Sequence, residues 1–358
     1  MHILYTLNEN YVRHLAASVC SLCENNRDSE SIVFHIISCG ITDESKEKIS
    51  KLCQRYSRSA QFYEIGNIRD KINGEVDTKG FDVSVLARLF AGSCLPADVE
   101  RVIYLDCDTI IIDDISPFWN TDMDGCVLAG VPEPVITKSR RPILNMSESH
   151  DYYNAGILLF DLKLWRENDC EKRVLSYFLE NMEKLVANDQ DAINACFKGN
   201  IKTVAPKYNY ASYNLYYNYK LLKKLSGAAP YVTKEIYDDS NEHPAIIHYL
   251  GEERPWRAHN THPYSKDYKH YLSLTDWKDA PDEQGWKLYF TCFRLFNFFT
   301  KPFPALRYKI IDSLIPAFMR HRAKQLKKSK KELLTAPRIL VLFFIISTIT
   351  HRYFFTFY

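Results

Sequence analysis

From its first residues the chain alternates short apolar runs with stretches of helical periodicity, and this alternation most constrains what it can fold into. His2 to Leu7 reads as a strand, Asn8 to Asn10 as a turn, and Val12, Leu15, Ala16, Val19 and Leu22 then recur at helical spacing. A second strand follows in "IVFHIIS", a helix in "TDESKEKISKLCQRY" with Thr42 as its N-cap, and a third strand in "QFYEI". Further along, "VSVLARLFAGSCLP" reads as a helix closed by Pro96, and "RVIYLD", "CVLAGVPE" and "YNAGILLFDL" as buried strands. "DQDAINACFKG" reads as a helix ending at Gly199, and "AIIHYLG" as the last strand. Strand and helix in turn call for an α/β fold with a mainly parallel sheet covered on both faces.

Charge divides the chain where periodicity does not. Lys287 to Tyr358 carries 14 Lys and Arg against 2 Asp and Glu, whereas the preceding residues carry 32 against 42. An acidic body needs a metal or a cationic pocket to handle an anionic substrate, and a basic tail seeks phosphate or anionic lipid. The segment Gly285 to Leu334 mixes aromatics with Lys and Arg, the make-up of helices that lie at an interface, so a membrane surface is expected and a nucleic acid is not. The run "ILVLFFIISTIT" near the end is shorter than the roughly 20 residues of a spanning helix. Two regions are expected, 1–265 and a membrane-associating 266–358.

No basic segment precedes the first strand, so no signal peptide is expected. Ten cysteines without framework spacing, among them Cys39, Cys126 and Cys196 in apolar runs, read as reduced core thiols of a cytosolic protein. Cys20 and Cys23 form a C-x-x-C, but it lies in a helical pattern with no second pair for zinc.

The chemistry centres on "YLDCDTI". Asp106 and Asp108 stand where an apolar strand ends, the rim at which parallel sheets bind ligands. Three readings fit the pair: two solvated aspartates at a strand end, a phosphatase of the haloacid-dehalogenase type with Asp106 as nucleophile, or the metal-binding D-x-D of an enzyme that uses nucleotide sugars. A non-catalytic, membrane-bound sugar- or nucleotide-binding protein is a further possibility.

Six segments bear on the choice: "YTLNENYV", Ala87 to Leu89, "YLDCDTI", "YYNAGILLFDLKLW", "NDQDAIN" and "HYLGEERPW". In order and spacing, residues 1 to 265 resemble glycosyltransferase family 8, with its bacterial lipopolysaccharide galactosyl- and glucosyltransferases and, more distantly, glycogenin. The resemblance implies a GT-A fold with a Rossmann-like sheet, followed here by a helical basic and aromatic appendage. It also implies a retaining enzyme that moves galactose or glucose from UDP to a glycan or glycolipid acceptor, on the inner face of the cytoplasmic membrane.

Position by position, the resemblance gives Thr6, Asn8 and Asn10 to the uracil base, with Tyr11 stacking on it. Asp106, Asp108 and His248 match ligands of Mn²⁺, with Mg²⁺ the other candidate, and Cys107, Gly251 and Arg254 fall beside the diphosphate. Arg88, Glu133, Asn154, Ala155, Gly156, Asp189 and Gln190 match the sugar site, with Arg88, Asp189 and Gln190 nearest the reaction. Asn8, Glu133 and Arg254 stand where relatives often have Asp, Asp and Lys. Gln190 is a poor nucleophile, so a front-face mechanism with Gln190 as a positioning group is expected. The aromatic stretch Tyr208 to Lys220 is expected on the acceptor side.

Overall fold

The structure, a computed structural model, describes residues 1–66, 68–72, 76–78 and 82–315. The described chain forms two compact units. One comprises Met1–Glu252 with Lys266–Ala280, and the other Glu253–Ser265 with residues 281–315. The expected division at residue 265 falls in this interleaved region.

Among the described residues of the first unit, ten strands form: β1 (His2–Leu7), β2 (Val33–Ser38), β3 (Ser59–Glu64), β4 (Arg101–Leu105), β5 (Thr109–Ile111), β6 (Leu128–Pro132), β7 (Tyr153–Asp161), β8 (Ile201–Thr203), β9 (Tyr210–Ala211) and β10 (Ile246–His248). Seven make a sheet in the order β3-β2-β1-β4-β7-β6-β8, and the remaining three make a smaller one, β5-β10-β9. The pairs β3–β2, β2–β1, β1–β4 and β6–β8 are parallel, and β7 runs antiparallel to both neighbours. The sheet is thus mainly parallel, as the alternation of elements requires. The antiparallel strand is one that alternation could not reveal, because β7 is buried along its length and reads as an apolar run in either direction.

Side chains alternate across the large sheet with period two and feed two apolar layers. Leu4, Val102, Tyr104 and Leu158 lie in one, and Ile3, Tyr5, Ile103, Leu105 and Ile157 in the other. The helices Val12–Asn25 and Asp43–Arg55 cover the second layer with Leu15, Val19, Ile49 and Leu52. Thr42 caps the latter helix by accepting from Ser45 N, as its place before Asp43 and Glu44 predicts. The expected helix of Val83 to Pro96 is instead a 3₁₀ stretch, Val83–Phe90, entered by the Asp82 cap and followed by one α-turn, Ala91–Cys94. The helix at Asn188 ends at Cys196, three residues before Gly199.

Strand order reverses between β1 and β4, so the crevice beyond their carboxyl ends is the ligand position of a doubly wound sheet. Thr6, Asn8 and Asp106 all stand there.

The second unit is held by a short bridge. Ala258 N donates to Glu283 O at 2.9 Å, Glu283 N to Trp256 O at 2.8 Å, and the Arg257 guanidinium lies 3.7 Å from the centre of the Trp286 ring. The helix Lys287–Thr300 follows, with Phe298 and Phe299 at 76% and 68% exposure. Among the described residues no helix is long and apolar enough to cross a membrane. The run "ILVLFFIISTIT" lies outside the described residues.

Candidate active site

Two strand pairings bring the acidic pair and a distant histidine together. β4 holds Asp106 at the end of a strand with no exposed apolar residue, and Asp106 N donates to Gly156 O of antiparallel β7 at 2.7 Å. β5 then pairs antiparallel with β10, with Thr109 opposite His248. Ligand atoms of Asp106, Asp108 and His248 consequently lie within 4.8 Å of one another.

The imidazole is 1% exposed and its two nitrogens differ. Nδ1 bonds Asn209 Oδ1 at 2.9 Å, while Nε2 is buried without a hydrogen bond, 3.3 Å from Asp108 Oδ1 and 3.9 Å from Asp106 Oδ2. Converging lone pairs of two carboxylates and one imidazole fit a divalent cation, which would relieve their mutual repulsion. Gly156 lets these ligands close in on the strand. A Cβ built there would meet His248 Cε1 at 2.4 Å and Asp106 Oδ2 at 2.6 Å, so only glycine allows both side chains this close approach. Gly156, expected beside the sugar, therefore also borders the cation site.

Arg88 links this cluster to the next carboxylate. It is buried, with Nη1 3.3 Å from Asp106 Oδ1, Nε 2.9 Å from Asp189 Oδ2, and its guanidinium 4.5 Å from the Tyr104 ring centre. Burial alone would lower the guanidinium pKa, yet Asp106 and Asp189 hold it above its ordinary value. Burial pushes the Asp189 carboxyl up to about 6 against the pull of Arg88. Asp106 is likewise raised by burial, with Arg88 opposing and Asp108 reinforcing. Arg88, expected beside the sugar, is thus the buried counter-ion of two carboxylates.

The remaining expected sugar residues form one hydrogen-bonded chain. Asn154 Nδ2 donates to Glu133 Oε2 at 3.0 Å, and Gln190 Nε2 donates to the same oxygen at 3.1 Å. Gln190 Oε1 accepts from Ala155 N at 2.9 Å, and Ala155 O accepts from Arg88 Nη1. Burial raises the Glu133 carboxyl pKa, which the two amide donors oppose. Glu133 reaches this place because β6 is irregular before Pro132, after which Glu133 N bonds Tyr152 O at 2.7 Å.

On the nucleotide side, Thr6 Oγ1 lies 3.3 Å from Tyr104 OH, and Asn8 Oδ1 accepts from Asn10 N at 3.1 Å, capping the turn Glu9–Tyr11. Tyr11 meets His14 edge to face. The Cys107 side chain belongs to the apolar core. Gly251 has φ +76°, a left-handed conformation that favours glycine, with open space at its Cβ position. Arg254 belongs to the second unit, where its guanidinium lies 5.4 Å from the Trp256 ring centre.

Five residues outside the expected set support the site. Tyr104 OH donates to Asp106 Oδ1 at 2.5 Å; two residues before Asp106 on one strand, it shares that face, so strand periodicity could have found it. Asp191 accepts from Tyr152 OH at 2.6 Å and from Val186 N and Ala187 N at 2.8 Å, and Tyr152 OH accepts from Gln190 Nε2 at 3.1 Å. Asn194, one turn beyond Gln190, bonds both N and O of Tyr153 and ties the helix to β7. Asn209 had no signal beyond its place in an aromatic run.

Residues 2–260 match the family described as Glycosyl transferase family 8. The chain belongs to that family. It is 27% identical over 280 residues to General stress protein A of Bacillus subtilis, covering 77% of this chain and 94% of that one. It is 27% identical over 281 residues to a lipopolysaccharide 1,2-glucosyltransferase of Escherichia coli K12, covering 78% and 79%. The galactosyltransferase LgtC, solved with donor and acceptor sugar analogues, shares the fold with a TM-score of 0.67 at 23% identity, over 78% of this chain and 99% of that one. The fold is the GT-A type and the chain is a glycosyltransferase, which sets aside the phosphatase reading of Asp106.

Two outcomes follow from this geometry. Gly156→Ala should lower the affinity for a divalent cation about tenfold or more, by analogy with lost support of a metal ligand, with an unchanged circular-dichroism spectrum. Because the Asp189 pKa is raised on folding, its ionised form costs stability, and that cost appears as pH rises from about 4 to about 6. The melting temperature of the metal-free protein relative to Asp189→Asn should therefore fall across this window and level off above about pH 7.

Proposed function

We propose that this chain is a retaining hexosyltransferase that moves galactose or glucose from a UDP-sugar to a glycan of the lipopolysaccharide type, with Mn²⁺ as its metal. The observation that carries the reading is the buried His248 Nε2, without a hydrogen bond and facing Asp106 and Asp108, beside a buried Arg88–Asp189 pair. An imidazole in the donor set favours Mn²⁺ over Mg²⁺, which prefers oxygen ligands. The lipopolysaccharide glucosyltransferase among its relatives supports the acceptor class.

Residue roles follow from charge. Thr6 and the amide of Asn8 hold the uracil and Tyr11 stacks on it; with Asn8 Oδ1 engaged by Asn10 N, its NH₂ group is directed to a base carbonyl. Asn10, the Cys107 backbone and Gly251 line the nucleotide, and Arg254 is the diphosphate cation carried over from the family resemblance. Asp106, Asp108 and His248 would hold the cation, which would supply charge stabilisation for the departing UDP. Arg88 and Asp189 orient the sugar, and Glu133, Asn154 and the Ala155–Gly156 backbone border it.

Gln190 is engaged at both ends, as acceptor from Ala155 N and donor to Glu133 and Tyr152. That favours a positioning role over attack on the anomeric carbon. In a front-face reaction the acceptor hydroxyl bonds to that carbon on the side from which UDP leaves, and its proton passes to the departing phosphate oxygen. Configuration is retained without an enzyme nucleophile. The Tyr208 to Lys220 stretch borders the acceptor.

Purified protein with labelled UDP-galactose or UDP-glucose, Mn²⁺ and a lipopolysaccharide-core acceptor should transfer the hexose. Asp106→Asn and Asp108→Asn should each lower the rate about 10²-fold or more. Failure to bind or turn over any UDP-sugar would falsify the reading, and binding without transfer would favour a sugar-binding protein.

A cytoplasmic location at the anionic inner face of the membrane fits the second unit, which exposes Leu295, Phe298, Phe299 and Phe303 next to Lys301. The protein should co-sediment with vesicles rich in anionic lipid more than with zwitterionic ones, and Phe298→Ser with Phe299→Ser should weaken that binding. Equal recovery with both vesicle types would count against it.

A further inference from the structure

Asn209 is fully buried at the end of the turn Pro206–Asn209, one residue before β9, which pairs with β10 so that Ala211 lies opposite His248. Burying a primary amide is unfavourable unless both its ends are bonded. Both are: Oδ1 faces His248 Nδ1 at 2.9 Å, and Nδ2 donates to Asn154 Oδ1 at 2.9 Å.

The direction of this chain is set from its far end. Gly156 N donates to Asn154 Oδ1 at 2.9 Å, and a backbone N–H has no other role. Asn154 must therefore present its oxygen to Gly156 and Asn209, and its NH₂ group to Glu133. Asn209 must in turn give its NH₂ group to Asn154, because the reverse orientation would set two carbonyl oxygens against each other. Its own oxygen is then left facing His248 Nδ1, which accordingly carries the ring proton. The tautomer with protonated Nδ1 leaves Nε2 as a bare lone pair aimed at Asp106 and Asp108.

We propose that Asn209 is a positioning residue for the metal ligand, transmitting the fixed direction of the Gly156 N–H through Asn154 into the tautomer and ring orientation of His248. The inference rests on the reading of Asp106, Asp108 and His248 as a cation site. The same amides join the imidazole to Glu133 and, through its carboxylate, to Gln190, so Asn209 also ties the cation site to the sugar side. The two functions of its amide can be separated. Asn209→Asp keeps an acceptor for Nδ1–H but cannot donate to Asn154, and Asn209→Ala loses both bonds.

Mn²⁺ titration of the intact chain, followed by the electron paramagnetic resonance of free Mn²⁺, tests this without reference to turnover. Asn209→Ala should bind Mn²⁺ about 10–100-fold more weakly than wild type, the usual effect of removing a partner of a ligating histidine. Asn209→Asp should recover most of that affinity while its transfer rate stays depressed. A wild type that binds Mn²⁺ with Asn209→Ala equal to it, or Asn209→Asp as weak as Asn209→Ala, overturns the role of Asn209 alone. A wild type that binds no Mn²⁺ overturns the cation site with it. Should the alanine variant fail to fold, long-range ¹H–¹⁵N spectra of the metal-free wild type, assigned with His248→Gln, decide the point. A protonated Nδ1 supports the proposal, and a protonated Nε2 with bare Nδ1 overturns it.

Discussion

The site depends on one close approach between antiparallel strands. Where β4 ends, Asp106 N bonds Gly156 O, and the missing side chain of Gly156 lets Asp106, His248 and Asn154 crowd into the space a Cβ would fill. This pairing sets the acidic pair against the N-A-G segment, and the β5–β10 pairing sets His248 against both aspartates. Negative charge accumulates at a buried strand end, a costly arrangement without a counter-charge. Arg88 supplies part of it from one side, and the His248 Nε2, buried without a hydrogen bond, marks where a cation would supply the rest.

Around that centre the protein has few unassigned polar directions. Tyr104, Tyr152, Asp191, Asn194 and Asn209 satisfy the outward-facing ends of the groups that face the crevice. Such a network keeps each side chain in one orientation, so that little reorganisation is left for the moment a charged substrate arrives. The helix Asn188–Cys196 shows the principle: Asn194 ties it to β7 and Asp191 closes its first turn, so Asp189 and Gln190 enter the site from a fixed base.

The second unit follows a different physical logic. Arg257 packed on Trp286 and the bridge to Glu283 hold its segments, while Phe298 and Phe299 remain in contact with solvent. Apolar exposure beside basic residues is the feature on which the proposed membrane contact rests.

Local sequence determined the elements and much of the site. Apolar runs of strand length, helical spacing and the Thr42 cap specify strands and helices through interactions of a few residues, and the acidic pair at a strand end marked the rim. The family's segments, spread over residues 5 to 256, named most of the side chains that meet there. Tertiary structure alone decided the antiparallel sense of β7, the 3₁₀ backbone that carries Arg88, and the partners of each polar group. A buried strand looks apolar whichever way it runs, and an asparagine such as Asn209 carries no periodic or charge signal. Its importance lies in the direction of hydrogen bonds to His248 and Asn154, 39 and 55 residues away in sequence, and direction exists only once the chain has folded.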